Sequence, residues 1–299
     1  MNRHGVSDAF GLILQHDLEA MCGWAPVAYE NSDCEGIHQM RVSLRRMRSA
    51  LSVFSRVIAP DLLSLWSDDM RWIANALGPA RDMDVFLNES ISPLAGKTPF
   101  THGEQVLREL TRTRRDQLQL QLQQTLNSQR YQNFIKEFSK WLENHGWFQW
   151  DMPARDRLKM TQSVRDFAIR TLDRRLSKTC QRGKDLASMS DEQLHELRIE
   201  CKKLRYATDF FSTLFPGDKL RNFVQNLKAI QNILGLMNDV AVLPSVIDPL
   251  LEGVSDPEVL RFAGAVFGWR AKGYDDARKL FEMRWSQFMV TSPPWQHDK

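Results

Sequence analysis

Apolar residues recur every three or four positions through most of the chain, a spacing that predicts amphipathic α-helices. Residues 37–54 are a clear example, because Met40, Leu44, Met47 and Leu51 fall on one side of a helical wheel. No stretch has the alternating β-branched pattern of a strand. We therefore expect an all-α protein in which this apolar side of residues 37–54 faces the core.

Capping residues, glycines and prolines predict where the helices of the first half begin and end. The first helix is expected to end at Gly23. The second is expected to begin at a capping box formed by Ser32 and Glu35. Gly78-Pro79 is expected to end the third helix, since proline inside a helix removes one hydrogen bond.

The second half has a similar series of helix-boundary signals. Residues 154–183 have the pattern of one long helix, and Ser190 is expected to cap the next. Gly235 is expected to interrupt the helical pattern that follows. Asp256, directly before a proline, is expected to cap the C-terminal helix. The order of these signals resembles that of the first half.

An internal repeat explains this resemblance. Residues 37–54 align with residues 194–211 at an offset of 157, and the alignment continues without a gap to Phe86. From His38 to Phe86 there are 14 identities in 49 positions. A duplicated helical unit predicts two four-helix bundles related by a pseudo-two-fold axis. We assign residues 1–150 to the first bundle and residues 151–299 to the second.

Both repeats carry a row of basic residues that begins with a histidine. The two rows are His38, Arg41, Arg45, Arg46 and Arg48 in the first repeat, and His195, Arg198, Lys202, Lys203 and Arg205 in the second. In the first repeat His38, Arg41, Arg45 and Arg48 share an arc of about 80° on the helical wheel. Like charges four residues apart repel by roughly 0.2–0.5 kcal/mol per pair. The duplicated rows therefore favour a functional anion site over a solvated helix face.

The paired histidines have two further interpretations. Equivalent histidines can hold a metal ion between two halves of a protein, but the arginines around His38 and His195 would repel a cation. Each histidine could also be an ordinary core residue with a satisfied hydrogen bond. We favour imidazole groups that donate to anion oxygens, and we predict no metal.

Other polar positions repeat less faithfully. The offset aligns Arg71 with Lys228 and Asp82 with Asp239, but it aligns Arg81 with an uncharged residue, Asn238. Each aspartate either orients a basic neighbour or caps a helix, and capping is the default expectation. Further basic residues lie on other predicted helices, among them Arg114, Arg115, Arg174, Arg175 and Lys178. They either line the site or are simply solvated.

The histidine-arginine helix, its repeat and the segment LGPARDMDVF at residues 77–86 resemble the CHAD family, the conserved histidine α-helical domain. The resemblance implies two four-helix bundles around a central basic groove that binds long-chain inorganic polyphosphate, often with targeting to polyphosphate granules. It carries the binding role onto the residues of both basic rows, namely His38, Arg41, Arg45, Arg46, Arg48, His195, Arg198, Lys202, Lys203 and Arg205. It also carries that role onto Arg81 and Lys228.

Two other function classes compete with non-catalytic polyphosphate binding. A nucleic-acid or other polyanion-binding module would also use basic helices, but within the rows only Tyr206 could stack on a base. A phosphate-transferring enzyme would need a phosphate-binding glycine loop or metal-binding carboxylates, and no P-loop motif occurs. We therefore predict polyphosphate as the partner, with no catalysis and no cofactor.

Composition adds a cellular expectation. The net charge is only +3, from 40 Lys and Arg against 37 Asp and Glu, so local clusters must carry any anion binding. Four widely spaced cysteines do not form a disulfide framework. No uninterrupted apolar run approaches the ~18 residues of a membrane span, and residues 1–10 do not have a signal peptide's apolar core. We therefore expect a cytoplasmic protein. The resemblance to the CHAD family adds polyphosphate granules as the expected location and granule-associated proteins as expected partners.

Overall fold

The computed structural model describes residues 5–148 and 152–296. Within those ranges the chain forms α-helices joined by short turns, and contains no β-strand. The all-α expectation is confirmed. The helices are α1 (Val6–Glu30), α2 (Cys34–Phe54), α3 (Pro60–Phe86), α4 (Thr101–Asn127), α5 (Gln129–Glu143), α6 (Ala154–Thr161), α7 (Val164–Arg182), α8 (Asp191–Phe210), α9 (Asp218–Leu251) and α10 (Pro257–Met289).

Helices α1 to α4 pack together in the first half, and α7 to α10 pack together in the second. The first four begin at residues 6, 34, 60 and 101, and the second four at 164, 191, 218 and 257. Each second-half start therefore lies within one residue of the 157-residue offset of the sequence repeat. Helices α5 and α6 have no such counterparts. The boundary predicted at residues 150 and 151 lies outside the described residues and stays a prediction.

The two halves contact each other through α2 with α8 and through α4 with α10. Phe54 and Phe211 occupy equivalent positions of the repeat, and their ring centroids lie 6.1 Å apart. At the second contact, a Cβ atom added to Gly103 would lie 2.3 Å from the carbonyl oxygen of Glu258. The Glu258 carboxylate also accepts from the backbone N–H of His102 at 2.8 Å. These contacts join the first half to the second, together with smaller contacts of α3 and α4 with α9.

Two boundaries in the first half differ from the prediction. Helix α1 does not end at Gly23 but continues to Glu30. Its last carbonyl groups are satisfied from a distant helix, since the Gln119 side chain donates to the Ala28 oxygen at 2.8 Å. The cap of α2 is Asp33, which accepts from the Glu35 N–H at 2.8 Å, one residue from the predicted Ser32.

The predicted interruptions at Gly78-Pro79 and Gly235 are also wrong, because α3 and α9 continue through them. In α3 the buried positions Leu77 and Ala80 lie on either side of the glycine-proline pair. Burial on both sides holds the segment in one helix, although the proline removes one backbone hydrogen bond.

In the second half, residues 154–183 are predicted as one helix but form two, α6 and α7. The chain breaks between α6 and α7, where the Ser163 hydroxyl accepts from the Asp166 N–H at 3.3 Å. The other caps are confirmed. Ser190 accepts from the Gln193 N–H at 3.3 Å, and Asp256 caps α10.

The core positions predicted for α2 are confirmed, since Met40, Leu44, Met47 and Leu51 are all buried. Helix α9 is long and apolar enough on average to cross a membrane, a property that core helices of soluble proteins share. It contains Asp239 and packs against α8 and α10.

Candidate functional site

A cavity of about 510 Å³ lies between the two halves, and we call it the central cavity. Helices α2 and α3 line it from the first half, and α8, α9 and α10 line it from the second. Its basic side chains are His38, Arg41, Arg45, Arg81, Arg198, Lys202 and Arg270. Its acidic side chains are Asp82, Glu89 and Asp239. Both duplicated rows thus contribute to one cavity.

Arg41 and Arg45 project from α2, one turn apart. The guanidinium group of Arg41 packs against Gly78 of α3, where an added Cβ would lie only 2.8 Å from Nη1. Burial lowers the pKa of Arg41, and the nearby Asp82 carboxylate opposes that shift. Gly78 therefore provides space for an arginine instead of ending a helix.

Arg198 and Lys202 occupy the equivalent positions on α8. Burial, together with the positive charges of Arg198 and Arg45, lowers the pKa of Lys202 to about 7. Burial also lowers the pKa of Arg198, with Asp239 opposing that shift. The shift at Lys202 is large because the ammonium group is withdrawn from water and arginines from both halves lie near it.

His38 is the first residue of the basic row on α2. Burial lowers its pKa, and the positive charges of Arg81, Arg45 and Arg41 lower it as well, against the opposite effect of Glu35. These effects favour the neutral imidazole in the free protein. A bound anion would favour the protonated form.

Asp82 and Asp239 are the acidic counterparts of these cations. Burial raises the pKa of both carboxyl groups, and the principal opposing charges are Arg41 for Asp82 and Arg198 for Asp239. Both residues lie inside helices, so the default expectation that they cap helix starts is wrong. Each aspartate instead faces an arginine of the adjacent row.

Three guanidinium groups of the central cavity have an unsatisfied donor. The Nε atoms of Arg45, Arg198 and Arg270 are buried and have no hydrogen-bond partner among the described residues. Such a buried donor costs about 1–3 kcal/mol. Planar guanidinium forks bind phosphate and carboxylate oxygens in two-point contacts, so the donor set suits an oxyanion.

His195 is not in the central cavity. Its Nδ1 lies 2.7 Å from Oδ1 of Asn238, and the ring lines a neighbouring cavity of about 230 Å³ with Tyr274 and Asp191. Asn238 lines both cavities. The two histidines of the repeat therefore have different surroundings.

Arg48 and Arg205 lie at the edge of the site. Arg48 lines a groove of about 450 Å³ that it shares with Arg41 and Arg45. Arg205 lies 5.0 Å from the centre of the Tyr206 ring, while Arg45 lies 5.9 Å from it. The tyrosine ring thus connects Arg205 to the cavity without placing it in the lining.

Three further predicted residues lie outside the lining of the central cavity. Arg46 donates through Nε to Asp17 at 2.6 Å. Lys203 pairs with Glu200 at 2.8 Å. Lys228 lies near the partly buried carboxyl group of Asp209, whose raised pKa it opposes. The binding role assigned to these three stays a prediction.

The sequence interpretation missed Arg270. This side chain is 7% exposed and lies on α10, where its Nη1 is 3.4 Å from the backbone oxygen of Glu89. The equivalent position of the first half is Thr113, so the repeat contains no signal for it. It could only be found from the way α10 packs beside α9.

The sequence profile of the CHAD domain matches residues 12–248, well over half of the chain. The protein belongs to the CHAD domain family. The family assignment made from the histidine-arginine repeat is thereby confirmed.

Two solved structures have the same fold as this CHAD protein. The crystal structure of the CHAD domain from the plant Ricinus communis has a TM-score of 0.80 and 24% sequence identity, covering 97% of this chain and 94% of that one. PptA from Streptomyces chartreusis has a TM-score of 0.70 and 15% identity, covering 94% and 99%. At these identities the likeness concerns the fold.

Among curated sequences, the uncharacterized protein MT2285 of Mycobacterium tuberculosis (strain CDC 1551 / Oshkosh) is 27% identical over 216 residues, or 70% of this chain. The uncharacterized protein Rv2226 of strain ATCC 25618 / H37Rv is 26% identical over the same length. The matched region spans 39% of the length of each relative.

Proposed function

We propose that the central cavity binds inorganic polyphosphate without converting it. The observation that carries the proposal is the meeting of both basic rows in one cavity, where six arginine and lysine side chains face three carboxylates. Polyphosphate bears about one negative charge per phosphate and has no bases, so a row of cations provides its main attraction. The buried, unpaired guanidinium donors suit its oxygens.

The surroundings of the cations favour polyphosphate over nucleic acid. Tyr206, the aromatic residue of the rows, is 2% exposed beneath Arg45 and Arg205 and has no free face for stacking. Phe86 is the one Phe, Tyr or Trp side chain among the described residues that line the cavity. Single-stranded nucleic acids are normally bound by aromatic platforms beside the basic groove.

The placement of the cavity carboxylates supports binding without catalysis. Asp82 and Asp239 each face an arginine, and burial raises the pKa of each carboxyl group. Phosphoryl transfer normally relies on carboxylates that hold magnesium beside the phosphate. The test is to incubate the protein with polyphosphate and Mg²⁺ and to measure released orthophosphate. If orthophosphate is released by wild type but not by Asp82→Asn, the function is hydrolysis and not binding alone.

The cellular role that we propose follows from the family resemblance. The protein would bind polyphosphate in the cytoplasm, at polyphosphate granules, and bring granule-associated proteins together there. Imaging of the tagged protein in cells with and without polyphosphate synthesis tests this role. A distribution that does not change when polyphosphate is removed would contradict it.

The binding proposal is tested by calorimetric titration with long-chain polyphosphate between 50 and 200 mM salt. Wild type is expected to bind with an affinity that falls steeply with salt. The Arg45→Glu/Lys202→Glu variant is expected to lose binding. Arg112→Glu/Lys136→Glu makes the same charge change at exposed positions on α4 and α5 and is expected to retain it.

Three results would decide against the proposal. Wild type that does not bind at 50 mM salt would exclude polyphosphate as the ligand. Equal losses in the cavity variant and the control variant would assign the effect to net charge. Displacement of polyphosphate by single-stranded DNA at equal phosphate concentration would favour a general polyanion-binding module.

A further inference from the structure

A second group of basic side chains lies outside the central cavity. We call Arg56, Arg170, Arg174 and Arg175 the α7 arginine cluster, since three of them lie on α7 and Arg56 follows the end of α2. Arg56, Arg170 and Arg174 are exposed. Arg175 donates through Nη2 to the Ser52 hydroxyl at 2.9 Å and thereby joins α7 to α2. The cluster is therefore assembled from both halves.

The positive charges of the cluster are poorly compensated. Burial lowers the pKa of Arg174, and Arg56, Arg175 and Arg170 each lower it further. Within the described residues none of the four arginines forms an ion pair with a carboxylate. Glu200 favours the charged form of Arg175. The cluster nevertheless keeps an excess of positive charge.

Glu200 is also shared with two lysines. Its Oε1 lies 3.1 Å from Lys178 Nζ and 2.8 Å from Lys203 Nζ. One carboxylate thus faces three cations. Like charges at i and i+4, such as Arg170 and Arg174, repel unless an anion lies between them. This arrangement indicates an external polyanion.

One face of α2 leads from the central cavity to the α7 arginine cluster. Residues 45, 49, 52 and 56 are spaced by four, three and four, so they follow one face of α2 and its C-terminal extension. At 1.5 Å per residue, Arg56 lies about 16 Å along this face from Arg45. Ser49 and Ser52, between them, are uncharged. A flexible anionic chain that leaves the cavity along α2 meets no carboxylate of this face before Arg56.

We propose that the α7 arginine cluster is a second binding site for the same polyphosphate chain that occupies the central cavity. This inference rests on the proposed function and adds a chain-length dependence to it. Tripolyphosphate would occupy the cavity alone, whereas a long chain would contact both sites. Two linked contacts raise affinity by effective concentration without any change in either site.

The test compares tripolyphosphate with long-chain polyphosphate on the Arg56→Gln/Arg170→Gln/Arg174→Gln variant of the full chain. The control is Arg112→Gln/Arg114→Gln/Lys136→Gln, which removes the same charge from exposed positions of α4 and α5. The cluster variant is expected to bind tripolyphosphate as wild type does and the long chain at least tenfold more weakly. The slope of log affinity against log salt is expected to decrease by about 2 for the long chain, from three lost contacts.

The outcomes separate this inference from the proposed function. If wild type binds neither ligand, both fall. If the cluster variant binds the long chain like wild type, the second site is wrong while binding to the cavity stands. If the variant loses both ligands equally, tripolyphosphate does not occupy the cavity alone, and the division into two sites is wrong. If the variant no longer binds single-stranded DNA but still binds long-chain polyphosphate, the cluster is a nucleic-acid site and not a polyphosphate site. Circular dichroism and the melting temperature check that each variant is folded.

Discussion

Lys202 makes polyphosphate binding depend on pH in a direction that the structure determines. Burial and the neighbouring arginines lower its pKa in the free protein to about 7. Above pH 7 the free protein therefore has a neutral amine at this position. A bound phosphate chain favours the ammonium form and raises the pKa toward the ordinary lysine value of about 10.4. Binding above pH 7 must then be accompanied by proton uptake.

The size of the effect follows from the charged fraction of Lys202. With a pKa of about 7, roughly half of the free molecules carry the charge at pH 7 and about one in a hundred at pH 9. Apparent affinity scales with the fraction in the binding-competent form. Affinity is therefore expected to fall about fiftyfold from pH 7 to pH 9, with about one proton taken up per binding event at pH 9.

Calorimetric titrations in two buffers of different ionisation enthalpy measure both quantities. Lys202→Arg is the matched control, because arginine stays charged over this pH range. His38 also has a lowered pKa, and any proton that it takes up remains in this variant. The difference between wild type and Lys202→Arg isolates Lys202. Equal pH dependence in the two proteins would refute the reasoning.

Four further predictions concern other positions of the repeat. Gly78→Ala is expected to displace the guanidinium group packed against it and weaken polyphosphate binding several-fold in titrations. Gly235→Ala, at the equivalent position with open space around it, is expected to leave binding unchanged and raise the free energy of unfolding by about 0.5–1 kcal/mol in urea. Arg46→Ala is expected to lower the free energy of unfolding by about 3 kcal/mol, because it leaves the 2% exposed Asp17 unpaired. Polyphosphate binding is expected to stay unchanged. Weaker binding by the folded variant would instead support the binding role that the sequence predicts for Arg46. Asp239→Asn is expected to tighten binding about fivefold by removing roughly 1 kcal/mol of repulsion, and weaker binding would contradict its assigned role as a countercharge.

Helical periodicity and the repeat were sufficient to predict the parts of the site that depend on one helix. The apolar face of α2 is buried as expected, which turns Arg41 and Arg45 away from the core and toward the other half. The repeat then predicts the same orientation for Arg198 and Lys202 on α8. The meeting of the two rows in one cavity depends on the packing of α2 beside α8, and a single-helix pattern does not contain it.

The residues outside the cavity show why a helical wheel is insufficient. Arg46 belongs to the basic row by sequence, but its partner Asp17 lies on α1, 29 residues earlier in the chain. Lys203 similarly pairs with Glu200 on its own helix. A wheel shows where a side chain leaves its helix, whereas its partner depends on which other helix lies there.

The divergence between the halves has a compensating feature in the structure. In the first half, Arg41 and Arg81 oppose the raised pKa of Asp82. In the second, the position of Arg81 is occupied by Asn238, an uncharged side chain that hydrogen-bonds both His195 and Asp239.

The second cation facing Asp239 comes from a different helix. Arg198 and Arg270 together oppose the raised pKa of Asp239, and Arg270 lies on α10. Each of the two aspartates therefore keeps two arginines, although the sequence repeat preserves only one of them. The charge environment of the cavity is thus more symmetric than the sequence that builds it, because a carboxylate that loses part of its hydration needs opposing charge and either neighbouring helix can supply it.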